Sequence, residues 1–477
     1  MTIDTLPDDA LLEIFTHYLL EDWVSYIDDT ETWHTLVHVC RRWRNIVFES
    51  PRRLNLRIRC TARTPVTAMS NVWPTLPIVI TDDYSNVHSG SSFMEGGDNI
   101  VAALELKDRV HGISLWNYPP RHLKRFAEAM LGSFPALTCL EITSTDEMVP
   151  VTVFSEAFLG GSAPRLRSCY LEGIPFPGIQ KLLLSTSHLV DLALTDIPHS
   201  GYISPEAMVT CLSAMPTLKW FSLGFVSRKS VPDRSSQRPP PPTPAVLPTL
   251  TMFDFGGASE YIKDLLYRIE APLLYVVTIH IYYPRIHDAP QPHNFLARTK
   301  IFESCSAAVV EFTDHDTCFR YGYQFSLGIS NVMLWNRPSS LVHISSLSFP
   351  LICTLESLDI RVDGITGPPY QDNPVAENTE WLEFLSPFTA LKYLRLDKNS
   401  ARRIAPALRH SQLAAEGATQ VLPALQSIFI EGLSGPIQEA IGDFVTARSL
   451  SGLPVAVYSW DGQSGTERTG GRRALEV

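Results

Sequence analysis

Leu189-Val190-Asp191-Leu192-Ala193-Leu194 is the stretch whose reading decides how most of this chain folds. Apolar residues stand first, fourth and sixth, and the last two alternate with a small residue, as on one side of a β-strand. The same spacing returns in Leu137-Leu140-Ile142, Leu166-Cys169-Leu171, Leu218-Phe221-Leu223, Leu250-Phe253-Phe255, Leu274-Val277-Ile279, Leu355-Leu358-Ile360, Leu391-Leu394-Leu396 and Leu425-Ile428-Ile430. Nine copies predict nine strands of common geometry. Their last residues follow one another at steps of 23 to 36, apart from a step of 81 between Ile279 and Ile360 that is wide enough to hide two degenerate copies. Proline stands two residues before the first apolar position in several copies, at Pro135, Pro164, Pro216, Pro248 and Pro423, which suits a turn just ahead of a strand.

One such unit exposes its apolar face when alone, so stacking of neighbours is obligatory. Each copy supplies a short parallel strand, and a helix or irregular segment covers its apolar side. Segments 119–132, 179–186 and 401–413 read as helices between the strands, which favours a stacked array over the other open reading, a β-rich globular domain with strands of coincident spacing. The spacing resembles that of leucine-rich repeats, in an irregular form. Residues 61–133 fit no copy, and with Trp73, Pro74 and Pro77 they read as an irregular connecting and capping region. The array is expected over 134–461. Within it, 231–248 holds Arg238-Pro239-Pro240-Pro241-Pro242-Thr243-Pro244, read as an exposed Pro-rich loop, with a role as an SH3-type ligand as the alternative. A second Pro- and Gly-containing loop is expected over 364–378 and a flexible tail over 462–477.

The first 60 residues read differently. Leu6-Pro7-Asp8-Asp9 opens a helix with proline early and acid in the first turn, and Leu11, Ile14, Phe15, Tyr18 and Leu19 then recur at helical spacing. After a mixed stretch at 21–32, Trp33, Leu36, Val37, Cys40, Trp43, Ile46 and Val47 form a second stripe that Pro51 ends. Two or three short helices enclose little core and need a partner or a neighbouring domain. In order, Leu6-Pro7, Glu13-Ile14-Phe15, Leu36, Val39-Cys40-Arg41-Arg42-Trp43-Arg44 and Ile46 resemble the F-box pattern. With its nine spaced strands, the chain is similar to F-box proteins with C-terminal irregular leucine-rich repeats, as found among fungal F-box domain-containing proteins.

That resemblance implies an α/β fold: an N-terminal three-helix F-box over 1–60, then an irregular leucine-rich-repeat-like solenoid of parallel strands and helices. It implies a Skp-type adaptor as partner and, through it, a cullin, with Leu6, Pro7, Ile14, Phe15, Leu36, Val39, Cys40 and Trp43 as the adaptor-facing set. Each of these eight has an equally open alternative as internal core. The function implied is substrate recognition for an SCF-type E3 ubiquitin ligase, in the cytoplasm or nucleus, the repeats binding a target protein. A non-catalytic repeat scaffold that binds protein without ubiquitination is the alternative. Trp220, Asp254, Tyr275, Tyr282, Asp359 and Arg395 are candidates for target contact, some of them expected in the core.

Composition is consistent with this. The 477-residue chain has a formal net charge of -11, which argues against nucleic acid as a partner. Arg41, Arg42, Arg44, Arg52, Arg53, Arg57 and Arg59 read as complements of a helix C-terminal end rather than as a phosphate-binding patch. The start of the chain lacks the basic and apolar regions of a secretory signal, and the most apolar window, 271–284, is too short to span a bilayer. Eight scattered cysteines without C-x-x-C read as free thiols. Nucleotide-binding, zinc-protease and G-x-S-x-G hydrolase motifs are missing, so neither enzymatic activity nor a cofactor is expected. Asp314-His315-Asp316-Thr317-Cys318 is the nearest approach to a ligand cluster and lacks a second pair at zinc spacing.

Overall fold

The computed structural model describes residues 5–20, 32–51, 54, 56–63, 66, 76–81, 97–118, 120–144, 153–226, 230, 244–282, 295, 298–299, 306–313, 316–322, 324–330, 352–363, 374–413, 421–433, 435–460 and 473–474. Residues 364–373 of the expected loop over 364–378, most of that over 231–248 and the stretch 21–31 lie outside the described residues; residues 374–378, expected as loop, instead open a helix. Two compact units divide the chain, Met1–Ser222 and Leu223–Val477.

The first unit opens with three helices, α1 (Asp8–Leu20), α2 (Thr32–Val39) and α3 (Arg41–Glu49). It continues with β1 (Ile58–Cys60), β2 (Ile78–Thr81), α4 (Gly97–Leu104), β3 (Val110–Leu115), α5 (Pro120–Ala129), β4 (Cys139–Thr143), β5 (Ser168–Glu172), α6 (Ile179–Leu184), β6 (Asp191–Ile197), α7 (Pro205–Ser213) and the start of β7 (Trp220–Phe225). Strands β1 to β6 pair in parallel in chain order. Residues 61–133, expected as an irregular cap, thus carry β2 and β3 and extend the same ladder.

In the second unit follow β8 (Ala245–Val246), β9 (Met252–Gly257), α8 (Ser259–Arg268), β10 (Ile269–Glu270), β11 (Val276–Tyr282), β12 (Ala307–Phe312), β13 (Asp316–Tyr321), β14 (Phe325–Ser330), β15 (Ser357–Val362), α9 (Pro374–Leu385), β16 (Tyr393–Leu396), α10 (Lys398–Leu413), β17 (Ser427–Glu431), α11 (Gly435–Leu450), β18 (Ala456–Trp460) and β19 (Arg473–Ala474). Most pairings are again parallel: β9 with β11, β11 with β14, and β12 with β15, followed by β16, β17 and β18. β8 and β10 form a separate parallel pair. Among the described residues, the 81-residue step holds three strands, of which β14 and β12 pair in parallel with β11 and β15. It holds a meander, in which β13 runs antiparallel to both β12 and β14, so that β14 lies beside β11 and β12 beside β15. Arg473 and Ala474, in the expected tail, pair antiparallel with β18.

All nine copies of the spaced motif are strands, and every first, fourth and sixth residue among them is at most 3 % exposed. Ahead of each strand the backbone makes the same turn. The first apolar residue donates its N–H to the carbonyl three residues back: Leu137 to Phe134, Leu166 to Ala163, Leu189 to Thr186, Leu218 to Met215, Leu250 to Leu247, Leu274 to Ala271, Leu355 to Ile352, Leu391 to Phe388 and Leu425 to Leu422. Where proline precedes, it fills the second position of this turn, where its fixed φ fits and no N–H is needed. The next N–H opens the ladder to the equivalent residue of the preceding copy, as from Arg167 to Thr138 O (2.8 Å), Val190 to Arg167 O (2.7 Å) and Gln426 to Lys392 O (2.9 Å). Helices cover the apolar face, α4 against β1 and β2, α8 against β9, and α10 against β15 to β17. Burial of one such leucine contributes about 1.5–3 kcal/mol, so three per strand summed along the ladder supply the main driving force of the array.

Leaving a strand needs a sharp reversal toward the helical side. Gly173 makes it after β5 at a φ of +67°, donating to Thr195 O at 3.0 Å, and an added Cβ would stand 2.4 Å from Ser144 O. Gly173→Ala is therefore expected to lower the unfolding free energy by roughly 1–3 kcal/mol. Gly442, within α11 and with open space about its Cα, provides the contrast: alanine there is expected to stabilise by roughly 0.5–1 kcal/mol. Urea unfolding of the two variants beside wild type checks both signs.

Candidate protein-binding faces

The second helical stripe of the sequence is two helices, because Cys40 breaks it. Its backbone is extended, at φ -158° and ψ 171°, and its thiol accepts from the Trp43 N–H at 3.4 Å as the N-cap of α3. Arg44 Nε donates to Val37 O at 3.0 Å, satisfying a carbonyl at the end of α2. Arg42 binds the start of α1 to α3, its Nη2 donating to Leu6 O and to Asp8 Oδ1, both at 2.5 Å. Arg42 and Arg44 thus belong to the first turn of α3, while Arg44 also answers the C-terminal end of α2, the role expected of these arginines from the sequence.

The eight residues expected to face an adaptor divide by exposure. Phe15 and Leu36 are interior, Phe15 packed on the Trp43 ring with centroids 4.7 Å apart. Leu6, Cys40 and Trp43 are half-buried, and Pro7 is exposed. Ile14 and Val39 stand out at 43 % and 58 % exposed. Tyr18, outside the eight, is 48 % exposed and joins them. It lies one helical turn beyond Ile14, and its hydroxyl meets Thr35 Oγ1 at 3.5 Å, one turn before Val39. Ile14 and Tyr18 of α1 and Val39 of α2 therefore form one uncovered apolar patch. Tyr18 was readable from the spacing, which places it on the face of Ile14.

Residues 3–56 match the F-box-like family model. The three helices fall within that span, so the patch belongs to an F-box-like module that heads an array of strands, an arrangement for protein interaction. No curated protein matches the chain. Among solved structures, the leucine-rich repeat-containing protein LegL7 from Legionella pneumophila is similar over 75 % of this chain and 95 % of its own, at 14 % identity and a TM-score of 0.28.

The second candidate face is the side of the strands turned away from the helices. Of six residues singled out for target contact, none is core: Tyr275 and Arg395 are exposed, and Trp220, Asp254, Tyr282 and Asp359 are half-buried. On β3 to β5 the face carries an aromatic and acidic group. Trp116 and Tyr170 stack with ring centroids 5.8 Å apart at 24°. Ser114 Oγ donates to Glu141 Oε2 at 2.8 Å, Trp116 Nε1 to Ser114 Oγ at 2.6 Å, and Tyr170 OH to Glu172 Oε2 at 2.7 Å. Glu141 is only 7 % exposed, and burial holds its carboxyl above the ordinary range against the pull of its hydrogen bonds. Burial, with the Glu172 carboxylate, pushes the Tyr170 phenol up to about 12, so it remains a donor.

The chemistry elsewhere is sparse. Asp316, His280 and Ser330 meet on three neighbouring strands, with His280 Nε2 2.5 Å from Ser330 Oγ and Ser330 Oγ donating to Asp316 Oδ1 at 2.5 Å. Serine occupies the middle and gives its proton to the carboxylate, whereas a nucleophilic triad needs histidine between serine and acid. Of the sequence cluster 314–318, Asp314 and His315 lie outside the described residues, and Cys318 pairs with Ser326 Oγ at 3.4 Å. Among the described residues no group of three or more His, Cys, Asp or Glu could hold a metal ion, and no helix is long and apolar enough to cross a membrane. Burial pushes the thiols of Cys60 and Cys211 up to about 11 and that of Cys169 to about 12, so they stay protonated at neutral pH.

Glu141 allows a test by pH. A carboxyl whose native pKa is raised holds its proton more tightly folded than unfolded. Its contribution to stability is therefore intact below the unfolded value of about 4.3 and is lost as pH rises through the native one. Glu141→Gln keeps an acceptor for Ser114 without the charge. It is expected to be more stable than wild type at neutral pH and to converge on it in acid, as read by urea unfolding across that range.

Proposed function

We propose that this chain is the substrate-recognition subunit of an SCF-type ubiquitin ligase, its F-box-like helices docking on a Skp-type adaptor and, through it, on a cullin. The strand array holds the target protein. The observation that carries this reading is the uncovered patch of Ile14, Tyr18 and Val39 on the F-box-like module. A helical module of this size has little interior, so apolar side chains that it leaves in water are worth most when a partner covers them. In this reading Leu6, Pro7, Cys40 and Trp43, which keep some exposure, add to the docking surface, and Phe15 and Leu36 act from the interior, by holding the helices together. The chain supplies no reacting group in this scheme. It raises the local concentration of the target beside a ubiquitin-charged enzyme, in the cytoplasm or nucleus.

Capture of a purified Skp-type adaptor by the full chain tests the proposal. Ile14→Asp and Val39→Asp change exposed positions and leave the interior alone, so folding is expected to survive. Each is expected to weaken capture at least about tenfold, the scale of an interface anchor. Failure of the wild-type chain to capture the adaptor overturns the receptor reading and leaves a repeat scaffold without ubiquitination in its place.

A further inference from the structure

The solvent side of the strands is not charged alike in the two units. In the second unit, arginines on this side have carboxylates beside them: Arg320 pairs with Glu311 and Arg361 with Asp359. In the first unit, the positions of β2 to β6 on this side hold Glu141, Glu172 and Asp191 and no lysine or arginine; the arginine of β1, Arg59, donates to Thr81 Oγ1 of β2 at 3.3 Å. Burial pushes the Asp191 carboxyl up, and the nearby Lys219 offsets part of this. Among the described residues no ion pair with a basic side chain is found for Glu141 or Glu172; hydrogen bonds reach Glu141 from Ser114, Cys139 and Trp116 and reach Glu172 from Tyr170.

The aromatic pair lies over this unbalanced charge. β3 and β5 are separated by β4 and so stand about 9.5 Å apart. Their rings approach to 5.8 Å, so the side chains reach toward one another over β4, the strand that carries Glu141. The result is a stacked pair of near-parallel rings beside a desolvated carboxylate, Glu141, with Glu172 held by the Tyr170 hydroxyl. Leaving a buried carboxylate without a cation is costly. A guanidinium or ammonium laid on such rings is attracted by their faces and by the carboxylate beside them, and the attraction grows as water is excluded.

We propose that the solvent face of β3 to β5 docks a basic segment of the target protein, with an arginine or lysine side chain on Trp116 and Tyr170 and its charge against Glu172. This rests on the reading that the array holds a target, and it names the chemistry of that target.

Fluorescence anisotropy of the full chain with a short labelled peptide of alternating arginine and serine tests it, with the glutamate-for-arginine peptide as the counterpart. The arginine peptide is expected to bind and the glutamate peptide not to bind. Glu172→Lys is expected to weaken binding at least about tenfold and Trp116→Leu several-fold, at equal Tm. Glu172→Gln replaces the lysine variant if that one unfolds early. Glu128→Lys on α5 and Glu439→Lys on α11 make the same change of charge on exposed helical positions and are expected to alter binding less than about twofold. Equal binding by Glu172→Lys and wild type, or an equal loss in Glu439→Lys, overturns the proposal, the latter because it reveals attraction to the net charge alone. Adaptor capture in the same samples separates the two readings. Capture with peptide binding indifferent to residue 172 sinks this inference only, and peptide binding dependent on residue 172 without capture sinks the ligase reading only.

Discussion

One backbone turn recurs nine times and the array depends on it, each closed onto the carbonyl three residues back; after most of these turns the next N–H passes to the neighbouring strand. The turn buries its first residue, whether Phe134, Met215, Leu247 or Phe388, and aims the first leucine inward. The ladder bond then fixes register, so that the fourth and sixth residues fall into the same layer. Because a buried peptide group without a partner is costly, a slip of one residue would lose hydrogen bonds and turn leucines to water together. Nothing in this arrangement fixes the length of chain returning on the helical side. A step of 23 residues in the first unit and one of 36 in the second are therefore both accommodated.

The meander obeys the same constraint by another route. Three strands, β12 to β14, occupy residues 307–330, and so short a run has no room for the crossovers that parallel neighbours require. Hairpins join them instead. The backbone groups stay paired because β14 offers its outer edge to β11 in parallel, and β12 offers its own to β15. The ladder of the second unit is therefore continuous although its direction alternates locally.

How much of this was legible in the sequence depends on which residues carry each feature. The nine strands could be read because three apolar positions with fixed spacing survive substitution by Cys169, Phe221 or Val277. β3 keeps the spacing as Val110, Ile113 and Leu115, all buried, but its β-branched first residue hides it from a search that expects leucine there. β1 and β2 lack the first position altogether and show only Ile58 with Cys60 and Ile78 with Ile80. Hairpin strands carry no such motif, so the long step could be seen but not filled. In the helical module the apolar stripe runs through Cys40 without a break in period, and a thiol cap is a weak signal for a helix start. Spacing also placed Ile14 and Phe15 in one stripe. Which of two adjacent residues faces the interior depends on where the neighbouring helices cross, and the sequence does not contain that.

The two candidate faces solve one problem in opposite ways. A binding surface must hold groups whose free energy falls when a partner arrives, and those groups weaken the unbound fold. The helical module has a small interior built from Leu11, Phe15, Leu36, Val47 and a few others, so the groups it exposes are apolar ones, which cost it little. The array is held by many fully buried leucines shared between neighbours. It tolerates a desolvated carboxylate at Glu141 that a module of about fifty residues, with so little core, would not survive. The charged candidate groups accordingly sit where the ladder is deep, and the apolar candidates sit where the core is thin.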